Sequence, residues 1–146
     1  MHQKSKYQRN YHRDIKTLNI FFNLGQVTVI DFGISKITSV SDLTHAGTSL
    51  GTPEYMAPEL FAASHYDPRS DIYALGVVAY EILTGNLPFQ AENLVVINEK
   101  KIQSVPKPIR SLRTEESEWL EKISSKMLAS SPLDRYQTIA EIEFDF

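Results

Sequence analysis

Residues 12–33 read His12-Arg13-Asp14-Ile15-Lys16-Thr17-Leu18-Asn19-Ile20-Phe21-Phe22-Asn23-Leu24-Gly25-Gln26-Val27-Thr28-Val29-Ile30-Asp31-Phe32-Gly33. In the middle, Ile20-Phe21-Phe22 and Gln26-Val27-Thr28-Val29-Ile30 are apolar, aromatic or β-branched, and they flank Asn23-Leu24-Gly25. This pattern predicts two short strands joined by a three-residue hairpin, with Gly25 in the left-handed position. The strands frame polar residues on both sides, from His12 to Asn19 before the first strand and Asp31 after the second.

Downstream, residues 31–60 have no sustained hydrophobic period and are rich in Ser, Thr, Gly and Pro, so a long ordered loop is expected there. Loops of that length are usually functional. From Ser70 to Thr84 the chain is apolar almost all round, the mark of a buried helix, and Gly85 closes it. Two further helices are expected over residues 92–101 and 115–128, the second with Trp119, Leu120, Ile123, Met127 and Leu128 on one stripe. Thr138 and Glu141 have capping-box spacing and start a last helix. No repeat, low-complexity tract or linker interrupts the pattern, which describes a mostly α lobe with one small β-hairpin.

Composition narrows the function. The chain has 146 residues, of which 42% are hydrophobic and 23% charged, ordinary values for one compact domain. It has no cysteine, which excludes disulfides, thiol nucleophiles and Cys-based zinc sites; that fits a reducing interior, so a cytoplasmic location is expected. A net charge of −3 argues against nucleic acid or an anionic membrane as the main partner. The longest apolar stretch, from Ile72 to Leu83, contains Glu81 and falls short of the roughly 20 residues needed to span a bilayer. No membrane segment is expected.

His12-Arg13-Asp14 followed by Lys16 and Asn19 resembles the catalytic loop of protein kinases, and Asp31-Phe32-Gly33 resembles their metal-binding triplet. Gly51-Thr52-Pro53-Glu54-Tyr55-Met56-Ala57-Pro58-Glu59 matches the segment that closes the kinase activation loop, and Asp71-Ile72-Tyr73-Ala74-Leu75-Gly76 resembles the start of the buried F helix. Pro132-Leu133-Asp134-Arg135-Tyr136 matches the last family motif. These motifs stand in family order from about Tyr11 to Ile142, so the whole chain, residues 1–146, is identified as a partial protein kinase domain: its C-terminal lobe, without the N-terminal lobe.

The resemblance implies roles, residue by residue. Asp14 would be the catalytic base, Lys16 would neutralise charge on the transferring phosphate, and Asn19 and Asp31 would hold Mg²⁺. Phe21 would floor the adenine pocket of bound ATP. Lys16 and the Gly51-Thr52-Pro53-Glu54 form imply a serine or threonine acceptor on a protein substrate, with Thr52 contacting Asp14 and Lys16. Asp71 would hydrogen-bond the catalytic-loop backbone, and Glu59 would pair with Arg135. Thr48, three residues before Gly51, would be the activating phosphorylation site, with Arg13 as the partner of its phosphate. Residues 13–21 look like NIMA-related kinases, whereas Pro68 to Tyr73 and Asp134 to Thr138 are closer to bacterial Hanks-type kinases, the preferred subfamily. Thr17 stands where the family usually has Pro.

The family also needs a Gly-rich phosphate loop, a lysine on the third strand and a helix C glutamate. Residues 1–11 carry none of them, so the missing lobe is expected upstream or in trans, and the chain alone is expected to transfer phosphate poorly. The alternative is a catalytically silent kinase-like scaffold or a non-functional gene fragment.

Overall fold

The computed structural model describes residues 11–31, 53–61 and 66–146. Strands β1 (Ile20–Asn23) and β2 (Gln26–Val29) form an antiparallel hairpin, with Ile20 opposite Val29 and Asn23 opposite Gln26. Helices follow in order: α1 (Pro68–Thr84), α2 (Leu94–Gln103), the single turn α3 (Ile109–Leu112), α4 (Glu118–Met127) and α5 (Ile139–Asp145). A short 3-10 turn at Thr17–Asn19 precedes β1, another at Pro58–Phe61 precedes α1, and a third at Pro132–Asp134 lies between α4 and α5. Among the described residues, no helix is long and apolar enough to cross a membrane.

The hairpin differs from expectation in its turn. Asn23 pairs with Gln26, so the loop has two residues, not three. Leu24 and Gly25 have φ of 49° and 80°. Positive φ at both central residues is the geometry whose twist suits a tight hairpin. Leu24 tolerates it because its side chain, 95% exposed, stands in solvent at the tip.

Helix α1 is the axis of the core and begins two residues earlier than its apolar pattern suggests. Asp67 caps it, accepting from the Arg69 N–H at 2.8 Å, and Pro68 fills the first turn, where its missing N–H costs nothing. Gly85, at φ 71°, ends it. One side of α1 packs Tyr73, Val77, Val78 and Tyr80 with Tyr55, Ala57, Ile109 and Leu128. The other packs Ile72 with Ile123, Met127, Tyr136 and Ile142. Helix α4 crosses α1 closely at Gly76, where a Cβ would sit 2.7 Å from Met127 Cβ. Burial is not all round, because Ile82 is exposed on the outer face of α1.

Helix α2 is capped by Asn93, which accepts from the Val96 N–H at 3.0 Å. Helix α4 starts at Glu118, and of its expected stripe Ile123, Met127 and Leu128 are buried, while Trp119 stays half exposed, edge-on to Phe146. Thr138 caps α5 by accepting from the Glu141 N–H at 3.3 Å. The Glu141 carboxylate reaches back to the Gln137 N–H at 2.9 Å, one residue before the cap.

Candidate active site

The turn before β1 is held from below by α1. Asp71, in the first turn of α1, accepts from the His12 N–H through Oδ2 at 2.9 Å and from the Arg13 N–H through Oδ1 at 3.0 Å. Two consecutive peptide N–H groups on one carboxylate fix the path of the chain, and Arg13 sits there at φ 65°. A side-chain-bearing residue pays about 1–2 kcal/mol for that region, which the Asp71 bonds offset. The Tyr66 hydroxyl also donates to Asp71 Oδ1; burial, then the Asp71 charge, pushes the Tyr66 pKa far up. The Arg13 guanidinium lies 5.8 Å from the Tyr11 ring centroid and 5.4 Å from that of Tyr66.

Beyond Arg13, the chain folds Asn19 back onto Asp14. The Asn19 amide donates to the Asp14 carbonyl at 2.8 Å and to Asp14 Oδ2 at 2.9 Å. The Lys16 ammonium sits 2.9 Å from the same Oδ2. With both amide protons turned to Asp14, Asn19 Oδ1 is left as an acceptor. The Ile30 N–H donates to the Asn19 carbonyl at 2.9 Å and extends the hairpin ladder, so Asn19 and Asp31 stand together at its open end. Asp31 takes φ 57° as the chain leaves β2. Together they offer an amide oxygen and a carboxylate, an all-oxygen set that suits Mg²⁺, which takes one or two protein ligands and fills its shell with water and phosphate oxygens. Among the described residues, no group of three or more His, Cys, Asp or Glu side chains gathers for a metal.

A third anchor fixes residues 53–61. Glu59 Oε1 and Oε2 each receive an Arg135 nitrogen at 2.7 Å, and the Ser70 hydroxyl donates to Oε1 at 2.7 Å. Arg135 further donates to the carbonyls of Ala129, Ser130 and Arg69 at 2.7, 2.9 and 3.1 Å. Every N–H of the guanidinium is thereby used, and its flat face covers the Tyr73 ring at 4.8 Å. Between the turn before β1 and this clamp, the Tyr55 hydroxyl lies 2.9 Å from Thr17 Oγ1 and donates to Glu81 Oε2 on α1. Tyr55 has one proton to give, so Thr17 is the donor in the first bond. Burial and then the Glu81 carboxylate raise the Tyr55 pKa.

The family model of the protein kinase domain matches residues 1–143. The chain belongs to the protein kinase family. Among its relatives, this kinase chain is 44% identical to the serine/threonine-protein kinase Pkn1 of Myxococcus xanthus over 135 residues, covering 88% of the chain and 20% of that protein. It is 37% identical to the serine/threonine-protein kinase PrkC of Bacillus subtilis over 135 residues, 92% of the chain and 21% of PrkC. The tyrosine-protein kinase MasK of Myxococcus xanthus is 44% identical over 128 residues, 87% of the chain and 20% of MasK. The chain thus spans about a fifth of the length of the curated relatives it matches. Protein kinases as a family use ATP and Mg²⁺.

In this kinase fold the residues singled out in the sequence fall into two groups. Asp14, Lys16, Asn19 and Asp31 gather at the hairpin's open end, with Arg13 and Asp71 beneath them. Glu59 and Arg135 meet further off, under residues 53–61. Phe21 lies on the open hairpin face, 53% exposed. Thr48 and Thr52 lie outside the described residues. Three participants were not singled out. Tyr66 carried no motif signal. Tyr55 lies inside a motif but showed no reason to reach Thr17, whose departure from the usual Pro supplies the hydroxyl that Tyr55 accepts from. Lys101 looked like any helix lysine, and it is buried.

Proposed function

We propose that this chain provides the catalytic loop and acceptor-facing segment of an ATP-dependent protein serine/threonine kinase. The observation that carries the reading is the Asp14 carboxylate. Asn19 and Lys16 both bind its Oδ2, and among the described residues neither uses Oδ1. A carboxylate oriented by one oxygen presents the other to the hydroxyl of an incoming serine or threonine. Asp14 then takes the hydroxyl proton while the oxygen forms its bond to the γ-phosphorus and the bond to the β-phosphate oxygen breaks. Lys16, already at Asp14, neutralises charge on the phosphate in flight. Asn19 Oδ1 and Asp31 would hold Mg²⁺, which supplies charge neutralisation at the phosphates. Positioning is worth about 7–11 kcal/mol of barrier in well-oriented systems, which is why the Asp71 and Arg135 anchors belong to the mechanism.

Serine or threonine is preferred over tyrosine because Lys16 sits two positions after Asp14 and because Gly51-Thr52-Pro53-Glu54 has the Ser/Thr form. Thr52 contacting Asp14 and Lys16 is part of this proposal. So is Thr48 as an activating phosphosite: the Arg13 guanidinium lies against the Tyr11 and Tyr66 rings, and among the described residues nothing bonds its N–H edges, which suit a phosphate. Phe21 and Phe22, both more than half exposed, point to opposite faces of the hairpin: Phe21 offers an apolar surface suited to adenine, and Phe22 with Val27 opposite it an apolar surface suited to a nucleotide-covering lobe, upstream or in trans. A cytoplasmic setting completes the reading and rests on the absence of cysteine.

The test is phosphate transfer from Mg-ATP to a protein acceptor by the gene product as its own cell makes it, with Asp14→Asn alongside. Phosphoserine or phosphothreonine that Asp14→Asn abolishes is expected. Phosphotyrosine alone would sink the acceptor assignment. No transfer, or transfer indifferent to Asp14→Asn, would leave a kinase-like scaffold.

A further inference from the structure

Outside the clamp and the catalytic loop, the most unusual group is a lysine inside the protein. Lys101, on α2, is 1% exposed. Its ammonium donates to the carbonyls of Pro53, Glu54 and Met56 at 2.7, 2.9 and 2.6 Å. An ammonium has three N–H bonds, and three carbonyl oxygens take them. The aromatic faces of Phe61 and Tyr73 close over it at 5.7 and 5.6 Å. No carboxylate bonds it directly among the described residues, although Glu54 from the same segment and Glu59 from the turn that follows both favour its charge. Arg135 lies against the same Tyr73 ring, and next to Lys101 on α2 Lys100 points away, to the Gln90 carbonyl.

We propose that Lys101 is a positioning residue, whose ammonium gathers three carbonyls of residues 53–56 and thereby holds the acceptor-facing segment against the catalytic loop. The inference rests on the proposed kinase reading only for the consequence in catalysis; the latch itself is a matter of geometry.

Residues 53–56 expose no regular ladder that could satisfy these carbonyls. Among the described residues, only Pro53 gains a backbone partner, the Met56 N–H at 3.3 Å, a long bond. Buried carbonyls without donors are costly, so a donor from α2 decides which way the segment faces. The bonded carbonyls lie on both sides of Tyr55. Fixing the backbone there aims the Tyr55 hydroxyl at Thr17 in the catalytic turn and at Glu81 on α1. Lys101, which touches no reacting atom, therefore acts on acceptor binding through Tyr55 and the residues beside it. A neutral amine has only two N–H bonds, so loss of one proton strands one carbonyl. Burial already pushes Lys101 down to about 7, against the pull of Glu54 and Glu59, which puts that proton loss within reach of experiment.

Two measurements test the proposal. In the chain with lysine Cε enriched in ¹³C, the Lys101 resonance is followed against pH together with the amide signals of residues 54–57. Amide shifts that move with the Lys101 midpoint support the latch; a Lys101 titration that leaves those amides still overturns it, whatever its midpoint. In the full kinase, Lys101→Met keeps the stem and removes the donors, and Ile97→Ala removes packing from the same helix while leaving the ammonium. Lys101→Met is expected to raise the acceptor KM about tenfold or more with the ATP KM unchanged, and Ile97→Ala to leave the acceptor KM within about twofold. Equal effects of the two variants on acceptor KM would reduce Lys101 to a packing residue and overturn the proposal. Coupled amide shifts without kinase activity would keep the latch and sink the functional reading instead.

Discussion

Two buried cations hold the two ends of one segment, and they do it by different physics. At residue 59, Arg135 meets a carboxylate in a two-point pair, with its remaining N–H groups on carbonyls. At residues 53–56, Lys101 meets carbonyls alone. The first anchor balances a full charge with a full charge; the second balances it with dipoles and with more distant carboxylates. Arg cannot lose its proton in a protein, whereas a buried Lys can, so the first anchor is permanent and the second is conditional. The conditional one flanks Tyr55, whose hydroxyl meets Thr17 in the turn before β1.

The largest effect should come from breaking the charge-balanced anchor. Arg135→Met leaves the half-buried Glu59 carboxylate on the Ser70 hydroxyl without its guanidinium partner, and unpairing a buried ion typically costs about 3–5 kcal/mol. Glu59→Gln should cost a comparable amount, and the double variant should fall well short of the sum in a denaturant-melt double-mutant cycle. Additive losses would show that the pair is geometry without coupling.

The second prediction separates the anchors by pH. Lys101 has its folded pKa lowered from 10.5 to about 7, so between those values the unfolded chain binds more protons than the folded one. Stability therefore gains a contribution that rises with pH from about 7 towards about 10.5, on the linkage sign that more protons on the unfolded state favour folding as pH rises. Lys101→Met should flatten that rise, and Arg135→Met should not. Over the same window the amides of residues 54–57 should lose protection, because proton loss relieves the buried charge while removing a donor from the segment. A pH profile in which Lys101→Met and the parent chain run parallel would contradict the assignment.

The smallest effect concerns the link from the anchored segment to the turn before β1. Thr17→Ala deletes the hydroxyl that donates to Tyr55 and should cost about 0.5–1.5 kcal/mol, measured by thermal melting. Tyr55 would keep its bond to Glu81, which caps the loss. A cost above about 3 kcal/mol would mean that Thr17, and not the two cations, sets the position of Tyr55.

Much of this was legible before the structure. The hairpin was, because alternating β-branched and aromatic residues around a glycine leave few other options; only its turn was one residue shorter, since Asn23 pairs across to Gln26. The partnership of Glu59 with Arg135, separated by 76 residues, was legible because the family motifs stand in order and carry it. The start of α1 was written in Asp67-Pro68, a cap followed by a residue that suits the first turn, but the apolar period at Ser70 drew attention further in.

What the sequence determined by itself was the hairpin and the four longer helices, their order, and which charged residues belong to the turn before β1; these follow from local periodicity, turn chemistry and motifs whose members lie close along the chain. Only the tertiary structure decided the fate of Lys100 and Lys101. The two are adjacent, identical in chemistry and on the same helix, yet one reaches an exposed carbonyl of Gln90 and the other lies buried beneath residues 53–56. A single step along a helix turns a side chain by about 100°, and whether that step ends in water or against a desolvated backbone depends on what packs there from 45 or more residues away.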